Sequence, residues 1–238
     1  EEEAMQVLDV LRTERKYPMT YASARRIAFL LSNVMRTDSH GDFVDGYQVR
    51  SVYFDSFLDQ DFYEKEDGLE YRKKIRLRSY GPDSVVKLEW KEKQNNQQRK
   101  RSLLIGRTEA QEMLKGNYCC LKRMPEPLAM EFYEVMMTQT YRPRCLVMYD
   151  RLAFLEDLND TRITFDSHIS VHEGCFDLFS QNPPSYPVIP GDCVTMEVKY
   201  NGFLPGYIKD IISFDAVPQV SFGKYCVSRK YGLGGIDL

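Results

Sequence analysis

A chain of 238 residues with 43% hydrophobic and 28% charged residues can bury a sizeable core without disulfides or structural metal. A net charge of −3 does not advertise a nucleic-acid binder, and no apolar run approaches the roughly 18–20 residues that a membrane helix needs. Six cysteines, at 119, 120, 145, 175, 193 and 226, form no CxxC pair, and three His are too few for a Cys/His zinc site. The thiols read as reduced and structural, which fits a cytosolic setting. The acidic start, Glu1 to Glu3, lacks the basic-then-apolar layout of a signal peptide and reads as a disordered end. No Pro/Gly/Ser-rich linker and no fixed repeat divide the chain, so residues 1–238 are expected to form a single domain.

The first patterned stretch is a strand with Arg12, Glu14 and Lys16 on one face. Thr20 or Ser23 caps a predicted helix reaching about Met35, with Ile27, Leu30, Leu31 and Val34 along one side. From Arg72 to Arg78, Arg72, Lys74, Arg76 and Arg78 share a face, opposite Ile75 and Leu77. A Gly81-Pro82-Asp83-Ser84 turn leads to a second strand of the same kind. It carries Lys87, Glu89, Lys91 and Lys93 on one face and Val86, Leu88 and Trp90 on the other. The two are predicted to pair as an antiparallel hairpin. Gln94 to Lys100 reads as a hairpin tip or lid. Arg99, Lys100 and Arg101 there are either solvated or at a tunnel mouth. Thr108 and Gln111 give a capping-box pattern for a short helix ending at Gly116. Leu128 to Thr140 is apolar at helical spacing. Tyr149 and Arg151 then share a strand face, as do Arg162, Thr164 and Asp166. The proline-bearing stretch Gln181 to Gly191 reads as a surface connection. Thr195, Glu197 and Lys199 face away from Met196, Val198 and Tyr200. Helices are predicted from Tyr207 to Phe214 and from Ser221 to about Gly232.

A charged strand face usually meets water. Five or six strands with the same cationic bias point elsewhere, because like charges set opposite one another cost a few tenths of a kcal/mol or about 1 kcal/mol per pair. Such a face is sensible when it closes around an anion. The sparse acids Glu14, Glu89, Asp166 and Glu197 are then placed to hold a divalent cation. The apolar outer faces take the helices. The expected class is α+β: a closed antiparallel β-barrel with a charged, wet lumen and helices packed outside.

These residues carry a family resemblance. The matching stretches are Glu14-Arg15-Lys16-Tyr17, Ser51-Val52-Tyr53-Phe54-Asp55, Lys74-Ile75-Arg76-Leu77-Arg78-Ser79-Tyr80-Gly81 and Leu88-Glu89-Trp90-Lys91. They continue with Tyr149-Asp150-Arg151-Leu152-Ala153-Phe154, Arg162-Ile163-Thr164-Phe165-Asp166, Glu197-Val198-Lys199-Tyr200 and Ser221-Phe222-Gly223-Lys224-Tyr225. In this order, over nearly the whole chain, they resemble the polyphosphate polymerase (VTC) domain of the vacuolar transporter chaperone complex. That domain belongs to the triphosphate tunnel metalloenzymes, the CYTH-like superfamily.

The resemblance implies an eight-stranded antiparallel tunnel whose basic lumen binds triphosphate and polyphosphate. It implies a divalent metal, manganese in preference to magnesium, held by a glutamate on a late strand. Carried over position by position, Lys16, Arg76, Arg78, Lys91, Arg151 and Lys224 would be catalytic phosphate contacts. Arg162, Lys199 and Ser221 would add phosphate contacts, with Lys74, Lys87 and Lys93 on the same lumen faces. Tyr149 would donate a hydrogen bond. Glu197 would ligate the metal, with Glu14 and Glu89 as further acids. Polymerase members move the γ-phosphate of ATP onto inorganic polyphosphate. A narrow lumen excludes a nucleic-acid duplex. Product export would call for a membrane-embedded partner, holding this cytoplasmic chain at the inner face of a membrane.

Two departures matter. Hydrolases of the superfamily carry E-x-E-x-K on the first strand, whereas this chain reads Arg12-Thr13-Glu14-Arg15-Lys16. Fewer lumen acids lean toward transfer over hydrolysis. Gly223 stands where eukaryotic polymerases carry Ser, which removes one hydroxyl contact. The other readings are a triphosphatase using the same tunnel and a non-catalytic polyphosphate-binding subunit.

Overall fold

Period-two alternation becomes strand wherever the sequence carries it over seven or more residues. The computed structural model describes residues 12–41, 46–81, 85–94, 97–213, 218–220 and 223–232. In chain order come β1 (Arg12–Thr20), α1 (Tyr21–Leu31), β2 (Arg36–Thr37), β3 (Tyr47–Asp55), α2 (Gln60–Glu66), β4 (Tyr71–Ser79), β5 (Val86–Gln94) and β6 (Gln97–Ile105). Then follow α3 (Arg107–Leu114), α4 (Pro127–Thr138), β7 (Arg142–Glu156), β8 (Thr161–His172), β9 (Tyr186–Pro187), β10 (Cys193–Asn201), α5 (Gly206–Ile212) and α6 (Lys224–Gly232).

Eight long strands form one antiparallel ladder in the order β1-β10-β8-β7-β3-β4-β5-β6, with β2 beside β7 and β9 beside β8. The predicted hairpin is β4 with β5, in a register that sets Arg76 opposite Glu89 and Arg78 opposite Lys87. Among the described residues β1 and β6, the ends of the ladder, share no pairing. The sheet still curls upon itself, because Lys91 of β5 feels Lys199 of β10 and Glu14 of β1 across the interior. The outer edge of β1 is met by Val220, whose N–H donates to the Lys16 carbonyl at 3.0 Å. The fold is the α+β antiparallel tunnel expected from the sequence.

The outer sheet faces carry two apolar clusters. Val52, Phe54, Ile75, Leu77, Leu88 and Trp90 pack under Met113 of α3 and Phe132 and Met136 of α4. Phe154, Ile163, Phe165, Val194, Met196 and Val198 pack under Ile27 and Leu31 of α1 and Ile208 of α5. Each such side chain contributes about 1.5–3 kcal/mol on burial. A third cluster lies on the inner face. Val49, Tyr53, Cys145, Val147 and Tyr149 meet Phe62 of α2 and Tyr225 of α6, so α6 closes one end of the tunnel.

Several elements differ from expectation. α1 ends at Leu31 rather than Met35, because the side chains of Ser32 and Asn33 turn back onto the Phe29 carbonyl, each at 2.7 Å. Leu30 is only partly buried and Val34 is 40% exposed. Thr20 is the cap, accepting from the Ser23 N–H. Thr108 lies inside α3, whose N-cap is Gly106. Of the hairpin tip or lid read at Gln94 to Lys100, the structure gives the hairpin: Gln94 pairs with Gln97, and Gln97 to Lys100 are strand paired to β5. The short helix α2 was not anticipated. Residues 82–84 of the predicted turn and Ser221 lie outside the described residues. All six cysteines are free thiols, as expected.

Candidate active site

The alternation that buries Ile75, Leu77, Leu88 and Trp90 outside turns Lys74, Arg76, Arg78, Lys87, Glu89, Lys91 and Lys93 inward. From the facing wall, β1 supplies Glu14 and Lys16, β10 supplies Glu197 and Lys199, and β8 supplies Thr164 and Asp166. β7 adds Tyr149 and Arg151. Gly46, at φ +64°, brings the chain against Arg151 so closely that a Cβ would sit 2.3 Å from the Arg151 carbonyl oxygen.

The lumen holds three ionic groups. In the first, Lys16 lies 3.1 Å from Glu14 and 3.6 Å from Glu197, while Lys199 lies 3.6 Å from Glu14 and 3.4 Å from Glu197. Burial works to raise the Glu197 pKa. Lys199, a hydrogen bond with Glu14, Lys16 and Lys224 outweigh it and hold the carboxyl well below the usual range. In the second, Arg151 donates two parallel bonds to Asp166, at 2.7 and 2.8 Å, and Lys224 of α6 sits 2.5 Å from the same carboxylate. Burial opposes ionisation of Asp166, but Arg151 and Lys224 bring its pKa down to about 2.

The third group centres on Glu89, only 1% exposed. Arg76 Nε donates to it at 2.6 Å, Lys100 of β6 reaches it at 2.5 Å, and Arg78 Nε lies 3.6 Å away without a hydrogen-bond acceptor. Arg76 also donates to the Tyr53 hydroxyl at 2.9 Å. Beside this group stands Lys91, which has no carboxylate within ion-pair distance among the described residues. Burial first, then Arg76, Lys199 and Arg78, push its amine well below its ordinary pKa; Glu14 opposes them. Around Lys91 cations outnumber acids, and Arg78 Nε offers an unused donor.

The other inward residues fall at the two ends. Arg162 donates to Asp38 at 2.7 Å and to the Tyr47 hydroxyl at 3.2 Å, beyond the end of β3. Lys87 shares that end, opposite Arg78. Lys93 and Lys74 lie toward α6, where a Cβ on Gly223 would meet Lys74 Nζ at 3.6 Å, so the missing serine would fit. The Tyr149 ring packs under Lys224 Nζ, 4.7 Å from its centroid, and beside Arg151.

Glu14 and Glu197 are brought together, whereas Glu89 stands apart with Arg76, Arg78 and Lys100. Among the described residues no group of three or more His, Cys, Asp or Glu gathers to hold a metal. Two neighbouring carboxylates nevertheless suit a hard divalent cation that takes its remaining ligands from water and substrate phosphates. His168 and His172 form no metal pair: His168 meets Asp150 at 2.9 Å, and His172 Nδ1 accepts from Gly174 and Cys175 N–H groups. Tyr53, Asp38 and Tyr47 escaped sequence reasoning because they are neutral or isolated. Inward alternation along β3 was the available signal.

A wall in which cations outnumber carboxylates suits a polyanion. The VTC domain matches residues 11–232, and the chain belongs to the VTC domain family. A Bacillus halodurans protein provisionally named an adenylate cyclase shares the fold at TM-score 0.51 and 11% identity, covering 90% of this chain and 94% of its own. A Hippeastrum protein provisionally named an adenylyl cyclase, described as revealing a dominant triphosphatase activity, is similar at TM-score 0.52 and 12% identity, covering 92% and 95%. No match was found among proteins of curated function. Among the described residues, no helix is long and apolar enough to cross a membrane.

Proposed function

We propose that the chain is a metal-dependent polyphosphate polymerase, moving the γ-phosphoryl group of ATP onto the end of an inorganic polyphosphate within the tunnel. The observation that carries this reading is Lys91, half-buried beside Arg76, Arg78 and Lys199 with no carboxylate within ion-pair distance among the described residues. A protein gains nothing from such repulsion until a polyanion enters. In the transfer, the bond from the γ-phosphorus to the β,γ-bridging oxygen breaks and leaves ADP. A new bond forms from a terminal polyphosphate oxygen to that phosphorus. Positioning and charge stabilisation supply most of the rate in such chemistry, and no Ser, Cys or His nucleophile is required. Arg76 and Arg151, fixed by Glu89 and Asp166, present their remaining N–H groups as oriented phosphate donors. Lys91 and Lys224 offer point charges to the phosphates. Glu14 and Glu197 would hold the divalent cation, which when bound neutralises charge on phosphate oxygens.

A second reading, hydrolysis of triphosphate in the same lumen, is favoured by the triphosphatase described for the Hippeastrum protein. The departure at Arg12 weighs toward transfer. Purified protein incubated with ATP and Mn²⁺, its products sized on a gel stained for polyphosphate, separates the two. Long ladders are expected, lost on Glu197→Ala and reduced about 10²-fold or more on Lys91→Ala. Orthophosphate without ladders would establish the triphosphatase. Binding of polyphosphate without turnover would leave a non-catalytic subunit.

A further inference from the structure

At the end of the tunnel away from α6, three rings stand unused by the transfer chemistry. Tyr47 opens β3 on its inward face, Tyr80 follows β4 on the same side, and His40 comes from the connection after β2. They form a closed triangle, with centroids 5.6 Å apart for His40 and Tyr47, 5.0 Å for His40 and Tyr80, and 5.7 Å for Tyr47 and Tyr80. Polar bonds fix the triangle. Asp38, 5% exposed, meets the His40 ring at 2.7 Å and accepts from Tyr47 at 3.3 Å and from Arg162 at 2.7 Å. The cluster is open outward, since the His40 side chain is 52% exposed. Inward it adjoins the phosphate-binding wall: Tyr80 bonds Arg78, and Tyr47 is the cross-strand partner of Arg151.

We propose that this cluster is the nucleoside subsite of the donor, stacking the base of a nucleoside triphosphate on the exposed His40 ring beside Tyr80. The phosphates then lead past Arg78 and Arg151 into the lumen. This rests on the tunnel reading above and adds what phosphates alone cannot specify. Every base has a π-face, so stacking on His and Tyr selects nucleotide over inorganic triphosphate rather than one base over another. Asp38 and Arg162 act as positioning residues, holding His40 and Tyr47 in place.

The test is calorimetric titration of the full chain with the β,γ-imido analogue of ATP and, separately, with inorganic tripolyphosphate. The readout is the ratio of the two affinities, which a general change in folding or lumen charge does not move. In the His40→Ala/Tyr80→Leu double variant the ratio is expected to fall about tenfold or more. The His40→Phe/Tyr80→Phe variant, which keeps both rings without the tyrosine hydroxyl, is expected to restore it. Should the double variant not fold, His40→Ala alone, at an exposed position, is expected to lower the ratio about threefold. An unchanged ratio overturns the proposal, as does a loss that Phe does not rescue. If the unaltered chain binds tripolyphosphate but not the nucleotide analogue, the subsite alone is overturned. If it binds neither, the tunnel reading falls and the subsite with it.

Discussion

Asp61 shows what one buried carboxylate costs when its partners are weak. It is 1% exposed, accepts the Tyr141 hydroxyl at 2.8 Å on each oxygen, and finds Lys73 only at 3.9 Å, because that amine donates to Gln139. Burial, then repulsion from Asp55, raises its pKa to about 8. A folded pKa above the unfolded value means that its stabilising contribution is full below about pH 4 and drains away as pH rises toward 8. Asp166 runs the other way: its depressed pKa gives stability above about pH 4 that is lost as pH falls toward 2. Asp61→Asn is therefore expected to gain stability relative to the unaltered protein as pH rises. Urea unfolding should show the difference growing by more than about 1 kcal/mol between pH 5 and pH 8. A difference constant across that range would refute the assignment.

At the scale of elements, Asp55 ties α6 to the end of β3. The Asp55 carboxylate at the end of β3 accepts N–H groups from Ser56, Asp61 and Phe62, at 2.7–3.0 Å, and the Tyr225 hydroxyl at 2.5 Å. It thereby caps α2 and ties down α6 in one stroke. The Tyr225 ring stacks on Tyr53, 5.1 Å between centroids, which places Lys224 on Asp166. Tyr225→Phe keeps the stacking and deletes the bond to the carboxylate. The expected loss is about 1.5–3 kcal/mol of unfolding free energy, with weaker tripolyphosphate binding as Lys224 loosens. Unchanged values in urea melts and titrations would show that α6 is held by its other contacts. Seven-residue α2 was invisible in the sequence because its N-cap, Asp59, makes no side-chain bond, and its first N–H groups are met by Ser56 and Asp55 further back in the chain.

At the scale of the whole molecule, a net charge of −3 surrounds a lumen whose cations outnumber its carboxylates. The two are reconciled by segregation, acids outside and cations within. Polyphosphate binding is expected to weaken steeply with salt, giving a linear, strongly negative slope of log affinity on log salt concentration. Arg151→Ala is expected to flatten that slope by about one unit. A slope near zero for the unaltered protein would place the polyanion outside the lumen.

The sequence by itself determined the inward set. Strand alternation is local, so Lys74, Arg76, Arg78, Glu89, Lys91, Glu197 and Lys199 could be assigned to one face from spacing alone. It also determined the β4–β5 hairpin and most helices, since caps and apolar spacing act within a few residues. Only the tertiary structure decided which charges answer which. Glu89 reads as an equal of Glu14 and Glu197 in the sequence, yet strand order and register give it to Arg76 and Lys100 on its neighbours and set Glu14 beside Glu197 across β1 and β10. Lys91 reads as one of three lysines on its strand face, yet packing leaves it without a carboxylate in ion-pair distance among the described residues. Asp38 and Arg162 are 124 residues apart, and Glu14 of β1 meets Lys199 of β10 from nearly opposite ends of the chain. Charge pairing acts through space, and its partners are fixed only when distant strands are brought side by side.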